Sequence, residues 1–413
     1  MKMKSRILML LILVSMLVLT LIGALNLNRS EESEEEPIPE VIVEPESDTV
    51  PETFKGTITD EYQVPAEVMN LIVRYMDAYY RSLYTLELSD VSDLFDSPLM
   101  AKISDRAIAL VVEAHKDHDF DFTMKKAHYD LTVTDYRNEG DTYYVDLLEN
   151  DTMCFSFLNG IESKTYDIEN YFTIRKTQDG YKIADLDKVQ GYYMTFHDDA
   201  QNEAEVDEIY AYYTKQLSDM FTYNREVLIP KAQEKPYVST KSFAKAYDRN
   251  KAVAYADKYH HDRNPVWYNF TDEGGNCQNY ASQCMLEGGI ALDYFGEEQW
   301  KCYVEDPNYE PEINEEETAY GRTRSWVNVG YFYNYAKWNE GKGMVADANV
   351  NLYYAQPGDI IIVGNNGLSH TVIVSKVVDG HVLVNSNSID MKDYPVEAYT
   401  YTTIMLIKIL GSN

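Results

Sequence analysis

Cysteine is scarce in this chain, with four in 413 residues: Cys154, Cys277, Cys284 and Cys302. No C-x-x-C pair occurs and no histidine stands at zinc-site spacing, which argues against a structural zinc centre. Cys277 and Cys284 fall on one predicted helix, ~10 Å apart along its axis, beyond disulfide reach. Positive charge is the second shortage. Lys and Arg number 36 against 68 Asp and Glu, a net charge of −32. Phosphate binding needs basic surfaces, so nucleic acid is excluded as a partner. The same balance opposes passive adhesion to anionic lipid or wall polymer. No G-x-S-x-G elbow, no G-K-[ST] phosphate loop and no internal repeat occurs.

The start of the chain reads as an export segment. Lys2, Lys4 and Arg6 precede an apolar run from Ile7 to Leu25, and acidic residues follow from Glu31. The basic flank is expected to stay inside and the rest to be exported. No A-x-A cleavage site follows; Gly23-Ala24-Leu25 is a poor one. Residues 1–28 are therefore predicted to be an uncleaved signal anchor, with a cleaved signal peptide as the alternative. That places the protein at the cell membrane, or secreted if the segment is removed. Residues 29–58, rich in Glu with Pro37, Pro39, Pro45 and Pro51, read as a disordered acidic linker.

The fold class predicted beyond the linker is α+β. Over 59–199, helical periodicity at Pro65–Leu86 and Ile103–His115 gives way to period-two alternation, as in Ala127–Val133 and Thr142–Leu147. Helices followed by an antiparallel meander resemble a cystatin-like or nuclear-transport-factor-like cone. His115 and His118 stand among Glu113, Asp117 and Asp119; we read them as a solvated, charged helix end rather than metal ligands. Residues 200–238 supply a connecting helix.

The last part, 239–413, holds the chemistry. A helix is predicted over Ser242–His261. Apolar or small residues at Tyr280, Ala281, Cys284, Met285 and Gly288 then form a helical stripe. Asn276 suits its N-cap and Gly288-Gly289 its end. Cys277 thus lies in a first turn, where the helix dipole and unpaired N–H groups favour a thiolate. Downstream, Asp379-Gly380 between two apolar runs signals a hairpin. A regular ladder puts Asn387 on the face of His370, opposite or diagonal to it, with Asn385 one pair further off. A carboxamide there fixes the imidazole tautomer and leaves one nitrogen for a thiol. Cys277, His370 and Asn387 are together the working parts of papain-like catalysis; no cofactor or metal is required.

The residues from Tyr247 to Ala256, Asn264-Pro265, Cys277-x-Asn279-Tyr280-x-Ser282-Gln283-Cys284, Trp326, Pro357-Gly358-Asp359 and Ser369-His370 resemble, in order, the bacterial "putative amidase domain" family over about Lys241–Leu410. That family is similar to papain-like peptidases and amidases of cell-wall metabolism. The resemblance implies Cys277 as nucleophile, His370 as base and a cell-wall peptide as substrate. This sequence departs from the family in Asn276, where an aspartate is usual, and in Asn387, where histidine is common. A binding module with lost catalysis is the rival reading.

Overall fold

The computed structural model describes residues 41–43, 54–189, 191–295, 299–302, 318–319, 322–365 and 367–413. The predicted anchor over 7–25 lies outside them. Among the described residues no helix is long and apolar enough to cross a membrane.

The architecture is mixed α+β around one large sheet. Its strands are β1 (Val41–Val43), β2 (Phe54–Thr59), β3 (Met124–Glu139), β4 (Thr142–Phe155), β5 (Ser163–Thr177), β6 (Gly180–Lys188) and β7 (Lys245–Ala246), then β8 (Met344–Val350), β9 (Ile360–Gly364), β10 (His370–Val378), β11 (His381–Ser386), β12 (Asp390–Pro395) and β13 (Thr403–Ser412). The order is β1-β2-β3-β4-β5-β12-β11-β10-β9-β13-β8, with β6 on β5 and β7 on β13. The meander of the middle part and the strands of the C-terminal part thus join where β12 pairs β5, with Met391 opposite Thr165.

The predicted linker is corrected at its C-terminal end. Phe54–Thr59 is a strand running parallel to β3. Phe54 and Ile58 are buried, and they share one strand face with Gly56. A side chain at Gly56 would strike the Tyr129 ring.

Helices α1 (Ala66–Thr85) and α2 (Pro98–Lys116) pack on this meander, and α3 (Gly191–Asp199) and α4 (Glu203–Tyr223) follow it. The reading of His115 as a solvated helix end is overturned. Ile108, Val112 and His115 continue one helical stripe, and all three are buried. The His115 ring stacks on Phe122 with centroids 4.1 Å apart. Among the described residues no cluster suits a metal ion.

In the C-terminal part, α5 (Arg249–Tyr259) and α6 (Cys277–Glu287) lie on one face of the sheet, with α7 (Val329–Trp338). The helix expected from Ser242 begins only at Arg249, because Asp248 caps it by accepting from Lys251 N at 3.2 Å. β9 reads as unbroken Ile360-Ile361-Ile362-Val363 because both its faces are covered. Ile360 and Ile362 join the core with α6, while Ile361 and Val363 join a second core beyond the sheet. Gly288 is required by the Tyr247 ring, which a side chain there would strike.

The Pro357-Gly358-Asp359 turn also delivers a buried anchor. Asp359 is fully buried. It accepts from Arg249 Nη1 at 2.7 Å, Gln356 N at 2.9 Å, and Lys408 Nζ and Ile409 N at 3.1 Å each. Removing the carboxylate leaves two cations uncompensated. Asp359→Ala is expected to lower stability by ~3–5 kcal/mol, read as a shift of the urea midpoint. A shift worth under ~1 kcal/mol, the scale of a surface ion pair, would show the network to be dispensable.

Candidate functional site

The site is built where the start of α6 meets the start of β10. Gly274 and Gly275, at φ +95° and +112°, turn the chain into Asn276 and Cys277. Asn276 does not cap the helix as expected. Its Oδ1 accepts instead from Phe270 N at 3.2 Å and Asn279 Nδ2 at 2.8 Å. Asn279 Oδ1 in turn accepts from Trp326 Nε1 at 2.9 Å. The carboxamides thus form a frame that fixes the residue before the cysteine. They leave first-turn amides uncapped.

Those amides serve the thiol. The backbone N–H groups of Thr371, Gln278 and Cys277 itself lie toward the sulfur and favour its charged form. Cys277 is only 7% exposed, and burial outweighs the three donors, so its pKa stands above the ordinary value. The predicted resting thiolate is therefore corrected to a protonated thiol: desolvation of sulfur exceeds what the helix start supplies. All four cysteines are buried and free.

His370 opens β10. Thr371, its neighbour, donates from Oγ1 to Gln278 Oε1 at 2.9 Å, which latches α6 to this strand. The strand alternates. Thr371 and Ile373 face α6, whereas His370, Val372 and Val374 face the core on the other side. The imidazole Nε2 lies 2.8 Å from Ser386 Oγ. That hydroxyl also lies 2.8 Å from the Ile389 carbonyl and 3.4 Å from that of Ser388. Carbonyls only accept, so the Ser386 proton goes to one of them and Nε2–H donates to Ser386. Nδ1 is then the basic nitrogen. Burial lowers the His370 pKa to about 4, so the ring is neutral.

Asn387 does not meet His370. Its Oδ1 accepts from Asn276 Nδ2, and its Nδ2 donates to the Tyr259 carbonyl, both at 2.8 Å. Asn385 bonds Asp257 at 2.9 Å instead. The cause is one extra residue. The hairpin turns through Asp379-Gly380 as expected, with Val378 opposite His381, but the register shifts between Val374 and Lys376, so Val374 pairs Val384. A one-residue bulge exchanges the faces of everything beyond it. Ser386 thereby takes the place predicted for Asn387. The polar pair Ser375-Lys376, which interrupts the alternation of Val372 and Val374, is the sequence signal for it. Ser375 and Lys376 both bind Asp393.

The structure thus brings Cys277 and His370 to one strand start. The thiol and the imidazole make no hydrogen bond with each other, and the ladder points the ring away from α6. Tyr401 is near both: it neighbours Cys277 and lines a cavity with His370.

Residues 246–410 match the putative amidase domain family. Cys277, His370, Ser386 and Asn387 all fall inside the matched span. A curated relative, the uncharacterized protein YhbB of Bacillus subtilis strain 168, is 29% identical over 150 residues, which is 35% of this chain and 43% of that protein. The chain therefore matches less than half the length of that relative. A solved structure titled as a putative aromatic ring hydroxylase from Novosphingobium aromaticivorans is 18% identical, covering 30% of this chain and 96% of that one, with a TM-score of 0.19. The putative amidase domain match points to hydrolase chemistry in general.

Ser386 holds the tautomer of His370, so Ser386→Ala should lower hydrolysis by roughly tenfold or more, because the wrong tautomer withholds the basic nitrogen. Nitrogen NMR of His370 should show loss of the fixed Nε2–H form. A fixed tautomer in the variant would remove Ser386 from the site.

Proposed function

We propose that the C-terminal part is a papain-like cysteine amidase or peptidase that acts on cell-wall peptide outside the cell, held at the membrane by residues 7–25. The observation that carries the reading is the sulfur of Cys277 at a helix start, with a neutral imidazole on the residue next to Thr371, whose hydroxyl latches that helix to the strand. Reaction requires the His370 ring to turn about the strand start and bring Nδ1 to the sulfur. Nδ1 then takes the thiol proton as sulfur bonds to the substrate carbonyl carbon. First-turn amides receive the oxyanion. The imidazolium returns the proton to the leaving amine, and water, deprotonated by the same ring, releases the acyl group from sulfur. The N-terminal charge pattern and the family's association with wall metabolism support the substrate class and the location.

A second reading has its own support. The ring faces away from α6 and is held by Ser386, an arrangement that suits a binding module without catalysis. Purified peptidoglycan separates the two. The enzyme reading expects free amines to accumulate with time and enzyme concentration. Stoichiometric binding with no amine release would establish the module.

A further inference from the structure

A cavity separate from the thiol lies between α2, α3 and the C-terminal strands. It measures about 100 Å³. Ala107, Ile108 and Met124 give it apolar walls, and Tyr193, Tyr399 and Tyr401 give it aromatic ones. His115 also lines it and is 3% exposed. Neither ring nitrogen of His115 has a hydrogen-bond partner. The Ala398 backbone lies toward the ring without completing a bond. Buried polar groups without partners are rare and costly, typically ~1–3 kcal/mol. An occupant with a single polar group would satisfy this one.

The charges around the cavity select that occupant. Lys188 is the cation on the wall, but its ammonium is committed to Glu149 Oε2 and Asn170 Oδ1. Asp151 stands behind it, with its own pKa raised to about 8 by burial and by Glu149. A bound anion would find the Lys188 ammonium already committed, and a bound cation would meet that ammonium. His115, stacked on Phe122, is itself neutral, since burial lowers its pKa to about 3. At about 100 Å³ the cavity is smaller than the engineered apolar cavity of about 150 Å³ that takes benzene, so its occupant is no larger than one small ring.

We propose that this cavity binds a small neutral molecule, one aromatic ring or short aliphatic body bearing a single hydroxyl or amide, whose polar group bonds to His115. His370 also lines the cavity, so the occupant would touch the candidate base, but binding does not depend on hydrolysis.

Fluorine NMR of the full chain with 4-fluorophenol and with fluorobenzene tests it. Both probes should bind saturably, the phenol about tenfold tighter. His115→Phe should abolish that preference while keeping fluorobenzene binding. Ala107→Leu, which fills the cavity, should weaken both probes at least tenfold. Equal affinity of the two probes for the wild type overturns the role of His115. Absence of saturable binding, or binding unchanged in Ala107→Leu, overturns the site. Should Ala107→Leu fail to fold, the preference change in His115→Phe still decides.

Discussion

Cys277→Ala should reduce amide hydrolysis at least ~1,000-fold, because the sulfur forms the covalent bond in the proposed reaction and no neighbouring group replaces it. The substitution removes one atom from a buried helix start. The carboxamide frame of Asn276, Asn279 and Trp326 does not involve that atom, so the thermal transition should move little. Cys284→Ala is the matched control. Cys284 is fully buried on the same helix, and its thiol pKa stands well above the ordinary value. It should retain wild-type turnover. Equal activity in both variants would remove the thiol from the reaction.

His370→Ala should cost on the order of 10²- to 10⁴-fold, the range of a general acid–base group. The pH profile tests the same point without a substitution. A thiolate–imidazolium pair at rest requires a histidine pKa above that of the thiol. The opposite order holds here: burial puts the imidazole at about 4 and the thiol above its ordinary value. The resting pair is thus neutral on both sides. The imidazole is a competent base at every pH above about 4. Hydrolysis should therefore be flat from about pH 5 to 8 and show no acid limb near 6.5, the ordinary histidine value. Iodoacetamide should label Cys277 more slowly than a model thiol at neutral pH, since the thiolate fraction is smaller. An acid limb near 6.5 together with fast labelling at pH 6 would mean that a preformed thiolate–imidazolium ion pair exists.

The sign for stability follows from the same groups. His370 and His115 fold with pKa values of about 4 and 3, below the unfolded value near 6.5. The unfolded chain binds more protons between these limits. Their contribution is complete above about pH 6.5 and declines as pH falls through the folded values.

The parts of the site that were legible in the sequence were local. The helix beginning at Cys277, the Asp379-Gly380 turn and the short apolar strand after Asp359 each follow from periodicity or turn chemistry within a few residues. What escaped depends on long-range packing. The exchange of Asn387 for Ser386 beside the imidazole turns on one bulge, and a regular alternation cannot foresee it. The pKa of Cys277 escaped for a different reason. A helix start is visible in sequence, whereas the desolvation that outweighs it comes from strands about a hundred positions away. His115 shows the same limit: acidic neighbours along the chain suggested solvent, but the apolar stripe it continues is what buries it. The joining of β5 to β12 pairs residues more than two hundred positions apart and has no local signature.

Acid-stopped turnover followed by peptide mass spectrometry tests the central claim most directly. With a peptide amide at saturating concentration, the peptide containing Cys277 should carry an added mass equal to the acyl part of the substrate, absent from the Cys277→Ala protein. Hydrolysis that proceeds at full rate with Cys277 unmodified and replaceable would contradict it.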